Sequence, residues 1–157
     1  SLDSGAFETF VLPDGMVGQQ LVDDIGAGLN GSFGQYPGTD SQGAEIFQGL
    51  ATAGGFDGTS AFAPESYDAA ALIMLAMQAA GSSASADFKD KVMDVANAPG
   101  EQIFPGELAK AIELIKAGTD IDYVGATAVE LIGAGESAGN YREIEIKDGK
   151  IETVKFR

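Results

Sequence analysis

The chain of 157 residues contains no cysteine and no histidine. Without cysteine there is no disulfide frame, no thiolate nucleophile and no zinc–thiolate site. Without histidine the commonest general base and metal ligand is missing as well. Positive charge is scarce: nine Lys+Arg stand against 24 Asp+Glu, a formal net charge of −15. A duplex phosphate backbone or an anionic membrane surface is repelled by such a field, which argues against nucleic acid as a partner. The same acidity also serves solubility in a salty habitat. No apolar run reaches the length of a membrane span, and no basic-then-apolar leader opens the chain.

What is present suits a folded domain. The hydrophobic fraction of 45% is enough for a real core. Strand-like and helix-like segments alternate, which points to α/β. The 22 glycines cluster near expected element ends and read as tight connections.

FETFVL (Phe7 to Leu12) is short, aromatic and β-branched, and reads as a strand ending at Pro13-Asp14-Gly15. Met16 to Leu29 carries apolar residues at helical spacing, and Ser32 to Tyr36 reads as a second strand. Together they predict a βαβ unit with two parallel strands. Helices are expected over Gln42–Ala53, Pro64–Ala80, Ala86–Ala96 and Gly106–Ala117, with Gly81 and Gly118 as end caps and Pro99-Gly100 as a break. Tyr123 to Ile132 reads as an irregular extended segment. Tyr141–Lys147 and Lys150–Phe156 flank Asp148-Gly149, a strong hairpin signal. In that register Ile144 and Ile146 share a face with Ile151 and Thr153, and Glu145 lies opposite Glu152.

Three motifs invite chemistry, and each lacks its context. Gly135-Glu136-Ser137-Ala138-Gly139 spells the G-x-S-x-G elbow of hydrolases, but a strand-like segment follows and there is no histidine to deprotonate Ser137. Gly26-Ala27-Gly28-Leu29-Asn30-Gly31 spells a dinucleotide fingerprint with helix and strand in reversed order, so it reads as a helix-ending turn. Asp120 and Asp122 imitate the opening of a calcium loop, but Val124 and Leu131 stand where its further ligands belong. They read, like Asp23-Asp24, as solvated carboxylates.

Two residues remain. Asp14 follows a strand's carboxyl end, where open α/β sheets place ligand groups, and a carboxylate there suits a substrate ammonium. From the local sequence alone, a turn with Gly15 that caps the next helix is the favoured use of Asp14. Tyr67 sits with Glu65, Ser66 and Asp68 in the first turn of a helix that is apolar nearly all round, which predicts burial on several sides. Its ring and hydroxyl suit an amino acid's stem, or simply anchor the helix start.

The ordered set FVLPDGM, GSFGQYPG, PESYDAAALIMLAMQAAG, DVANAPGEQIFPGELAKAIELIKAGTDIDYVGAT and YREIEIKDGKI resembles the C-terminal half of type I periplasmic solute-binding proteins. That group includes the leucine/isoleucine/valine-binding proteins of ABC importers. The resemblance implies part of a two-lobed α/β fold closing about a hinge, with a βαβ unit, several helices and a C-terminal hairpin. It implies residues 1–36 as a second-lobe segment, 37–128 as first-lobe helices without their sheet, and 129–157 as the return segment and hairpin. Asp14 and Tyr67 match the family's ligand-facing acid and tyrosine.

A non-enzymatic receptor without cofactor or metal is therefore expected. It would act in the periplasm, bind a branched-chain amino acid or similar small polar solute, and deliver it to a membrane permease. The leader and N-terminal half would lie outside this chain, and the isolated piece would bind weakly and self-associate through uncovered apolar faces. A ligand-sensing regulatory module of the same fold is the alternative, and a serine hydrolase using Ser137 a more distant one.

Overall fold

The structure, a computed structural model, describes residues 4–133 and 135–157. Its contacts group into two compact units, Ser1–Thr39 with Asn140–Arg157, and Asp40–Gly139.

The first unit holds the expected βαβ arrangement. Strand β1 (Val11–Leu12) leads through helix α1 (Gln19–Ile25) to β2 (Phe33–Pro37), and β1 and β2 pair in parallel with Val11 opposite Phe33. The hairpin β7 (Tyr141–Lys147) and β8 (Lys150–Phe156) completes a sheet of order β1-β2-β7-β8. Its register pairs Ile146 with Ile151, Ile144 with Thr153 and Glu145 with Glu152, as the alternation predicts. The turn works because Asp148 and Gly149 both take positive φ, 50° and 71°, the geometry a right-twisted two-residue hairpin needs. Leu12, Val22, Leu29, Tyr36, Ile144 and Ile146 are its buried core.

Two elements are shorter than their patterns predict. The strand expected over Phe7–Leu12 shrinks to Val11–Leu12. The Phe10 amide is taken by the Ser32 hydroxyl at 3.1 Å, and Phe7 is 62% exposed. The helix expected over Met16–Leu29 breaks into a 3₁₀ turn (Asp14–Met16), α1, and a second 3₁₀ turn (Gly26–Leu29). Gly18, extended at the N-cap, and Gly26, at φ 69°, bound α1 on either side.

The second unit is mostly helical. Helix α2 (Gln42–Ala53) is capped by the Ser41 hydroxyl, which accepts from the Ala44 amide at 3.3 Å. Helix α3 (Ala63–Ala80) opens with proline in its first turn and ends at Gly81 with φ 63°. The single helix expected over Ala86–Ala96 is two, α4 (Ser85–Phe88) and α5 (Lys91–Ala96). Strands β3 (Glu101–Ile103) and β4 (Ile121–Tyr123) pair in parallel around α6 (Leu108–Lys116), a second βαβ unit within the stretch expected to be almost all helix. Short strands β5 (Leu131–Gly133) and β6 (Glu136–Ser137) pair antiparallel. The Asn97 side chain clasps both backbone groups of Leu131, donating to its carbonyl at 2.7 Å and accepting from its amide at 3.0 Å.

The core lies where α3, α5 and α6 meet β3 and β4, with Leu75, Ala76, Ile103, Ala111 and Ile121 all but sealed from solvent. Helix α3 is buried along one stripe only, through Ala71, Leu72, Leu75 and Ala76. Ile73 and Met74 on its other side are 43% and 49% exposed. The burial on several sides that its composition predicts is therefore absent within this unit.

Candidate functional site

The two sequence-predicted site residues, Asp14 past the carboxyl end of β1 and Tyr67 near the head of α3, belong to different units. Asp14 lies just past β1 in an exposed 3₁₀ turn. Its Oδ1 accepts from the Gly15 amide at 2.6 Å. The turn expected with Gly15 is present. The helix cap is not, because the N-cap of α1 is Gly18, four residues later, and no side chain caps it. Among the described residues Asp14 has no cationic partner, so the carboxylate stands free at the rim of the sheet.

The head of α3 is more elaborate. A turn precedes it in which Asp57 accepts from the Thr59 amide and hydroxyl at 2.8 and 2.7 Å, bonds that hold this carboxyl below its usual range. Phe62 then adopts φ 66° at the N-cap and is 41% exposed. A bulky residue in the left-handed region is uncommon and costs about 1 kcal/mol or more. Tyr67 is half-buried. Its ring centroid lies 5.2 Å from that of Phe47, and its hydroxyl accepts from the Gly106 amide at 2.9 Å. The anchoring role foreseen for the phenol is thus present, and its own proton is left available for donation.

Beside it, Asp68 is 3% exposed and accepts four hydrogen bonds. The Tyr123 hydroxyl donates to Oδ1 at 2.9 Å and the Ala126 amide at 2.8 Å; the Thr127 amide and hydroxyl donate to Oδ2 at 2.8 and 2.7 Å. This carboxylate ties α3 to the loop leaving β4. Burial, reinforced by the Asp68 charge, pushes the Tyr123 phenol far above its usual range. Gly125, at φ 61°, leaves the room: a Cβ there would collide with Asp68 and Tyr123. Gly43 in α2 likewise lies so close to the Gly125 carbonyl that no side chain fits. Glu65, one turn before Asp68, has a buried Oε2 with no partner among the described residues. Desolvation, then the Asp68 charge, raises its carboxyl.

Sequence reasoning missed Asp68, Glu65 and Phe62 as site features, naming the two acids only as neighbours of Tyr67 at the helix start. The one available signal was the DYVGAT run at the end of β4, whose Tyr123, Ala126 and Thr127 supply the carboxylate's donors around Gly125. Ser137, in β6, is exposed and donates to the Ala138 carbonyl at 3.3 Å. Gly26 ends α1, and Asp120 is exposed.

Among solved structures, the chain superposes on a leucine-binding protein, LivK, of Thermotoga maritima. The TM-score is 0.68 at 14% sequence identity, over 98% of this chain and 38% of that one. Among curated proteins it is 33% identical over 93 residues to the chemotactic signal transduction system substrate-binding protein BasB of Halobacterium salinarum, 59% of this chain and 22% of BasB. No protein-family model matches. The fold is that of part of a type I periplasmic solute-binding protein. The chain spans well under half the length of either relative.

Proposed function

We propose that the chain is part of an extracytoplasmic receptor that binds a small amino-acid-like solute without transforming it. The likeness of its fold to the leucine-binding protein over 98% of its length carries the reading. In the complete protein the free Asp14 carboxylate accepts from a ligand ammonium, and Tyr67 lines the ligand's stem and donates its spare hydroxyl proton. The receptor hands its solute to a membrane permease of an ABC importer. Among the described residues no helix is long and apolar enough to cross a membrane, so such a partner would supply the channel.

A second reading is favoured by one observation, that BasB is a substrate-binding protein of a chemotactic signal transduction system: the loaded receptor docks on a signalling receptor instead of a permease. Both share the same binding step. Calorimetry of the complete protein across the amino acids tests that step, and co-purification with permease or signalling receptor separates the two. Absence of heat with every amino acid would overturn the proposal. In the isolated chain, Ile73 and Met74 lie bare on α3, and self-association in light scattering is the expected consequence.

A further inference from the structure

Asn30-Gly31-Ser32 is an N-x-S sequon, and neither Asn97-Ala98-Pro99 nor Asn140-Tyr141-Arg142 forms another. We propose that Asn30 is an N-glycosylation acceptor, modified on its side-chain nitrogen. The inference rests on the extracytoplasmic placement proposed above.

The folded geometry accommodates a glycan there. Asn30 is exposed, in the turn between the second 3₁₀ segment and β2. Its Oδ1 accepts from the Gly149 amide at 3.2 Å and so buttresses the β7–β8 turn. Nδ2 makes no hydrogen bond among the described residues, so a sugar on it leaves the Oδ1 bond intact. A glycan at this corner projects from the turn end of the hairpin.

The third residue of the sequon sets the timing. Ser32 is fully buried, and its hydroxyl accepts from the Phe10 amide at 3.1 Å. Its backbone is equally engaged: its amide donates to Leu29 at 2.9 Å and its carbonyl accepts from Ile146 at 2.8 Å. A transferase that reads the serine hydroxyl reaches it only before the β2 segment docks. In the transfer, Nδ2 attacks the anomeric carbon of a polyprenyl-phosphate-linked oligosaccharide. The C–N bond forms as the bond from that carbon to the phosphate oxygen breaks. The lipid phosphate leaves, and the Nδ2 proton passes to a base of the transferase. No oxidant or reductant is involved.

The test uses the native protein, separated into cytosolic and extracytoplasmic pools, cleaved with chymotrypsin and read by peptide mass spectrometry. A glycopeptide at Asn30 in the extracytoplasmic pool is expected, retained in Ser32→Thr and lost in Asn30→Gln and Ser32→Ala. Circular dichroism of the variants verifies that loss of the sugar is not loss of the fold. An extracytoplasmic Asn30 peptide of unmodified mass, or one showing deamidation alone, overturns the assignment while leaving the receptor reading intact. Protein confined to the cytosol and unmodified overturns both. With transferase-bearing membranes and lipid-linked donor, a peptide spanning residues 27–33 is expected to be glycosylated and the pre-folded chain is not; equal modification of both would contradict the timing.

Discussion

The Tyr123 hydroxyl donates to Asp68 Oδ1 across 2.9 Å, joining the carboxyl end of β4 to the second turn of α3. With the Ala126 and Thr127 donors on the same carboxylate, the helix head and the loop behave as one piece. Any ligand group presented by the head of α3, Tyr67 included, inherits its position from this lock.

Asp68→Ala strips the acceptor from four donors in a buried setting. A destabilisation of about 3 kcal/mol or more follows from the cost of orphaned buried polar groups. Asp68→Asn restores one acceptor but turns an amide toward the remaining donors, and a loss of about 2 kcal/mol is expected. Urea denaturation measures both; a midpoint within error of wild type for either would remove Asp68 from this role.

Gly125→Ala perturbs the same lock from outside. The positive φ and the missing space beside Asp68 act together, and a cost of about 2 kcal/mol is expected. Gly43→Ala should lower the melting temperature as well, because its Cβ would meet the Gly125 carbonyl.

Alkaline pH tests the buried phenol. Folding raises the Tyr123 pKa above its unfolded value of about 10, so the folded state holds the proton more tightly. The contribution is therefore complete below pH 10 and fades as pH climbs above it. Of the four tyrosines, one should ionise only as the protein unfolds, seen as a delayed step in absorbance at the phenolate band. In Tyr123→Phe that step vanishes and the alkaline loss of stability is shallower.

The contrast between legible and hidden parts of this chain has a physical basis. The β7–β8 hairpin was readable from its turn out to Ile144 because Asp148-Gly149 fixes the turn and a period of two fixes the faces, whereas the bulge that shifts the register between Glu143 and Ile144 was not. Helix α2 was equally readable, since Ser41 and Gly54 bracket an uninterrupted helical pattern. Strands β3 and β4 were hidden because three residues each are too few to display a period. The α1 region misled because its apolar spacing continues through Gly18 and Gly26, where backbone geometry overrides pattern. Asp68 was hidden for another reason. A carboxylate near a helix start shows nothing of its burial until its donors, more than fifty residues away in sequence, fold onto it.

Glu65 offers a stabilising substitution. Its raised carboxyl pKa means the folded state favours the protonated form. Its stability contribution is thus full below the unfolded pKa near 4.5 and lost as pH rises through the folded value. Glu65→Gln keeps the shape without the charge. The variant should melt higher than wild type at pH 7 and indistinguishably from it near pH 4. A variant that is destabilised at pH 7 would mean that the charge is matched by a cation elsewhere in the complete protein.

Asp14 and Tyr67 decide the binding proposal, because each allows the ligand's loss to be separated from the fold's. Asp14→Asn retains an oxygen for the Gly15 amide and drops only the negative charge, so the melting temperature should hold. If that carboxylate meets an ammonium, losing a charge-assisted bond of about 2 kcal/mol weakens the solute roughly thirtyfold. Tyr67→Phe surrenders the acceptor of an exposed Gly106 amide, which costs about 1 kcal/mol or less in stability because water can replace it. Titration calorimetry on the complete protein reads the affinities, and thermal melts read the fold. Unchanged affinities in both variants, across every amino acid that binds, would mean that the solute is held by other residues.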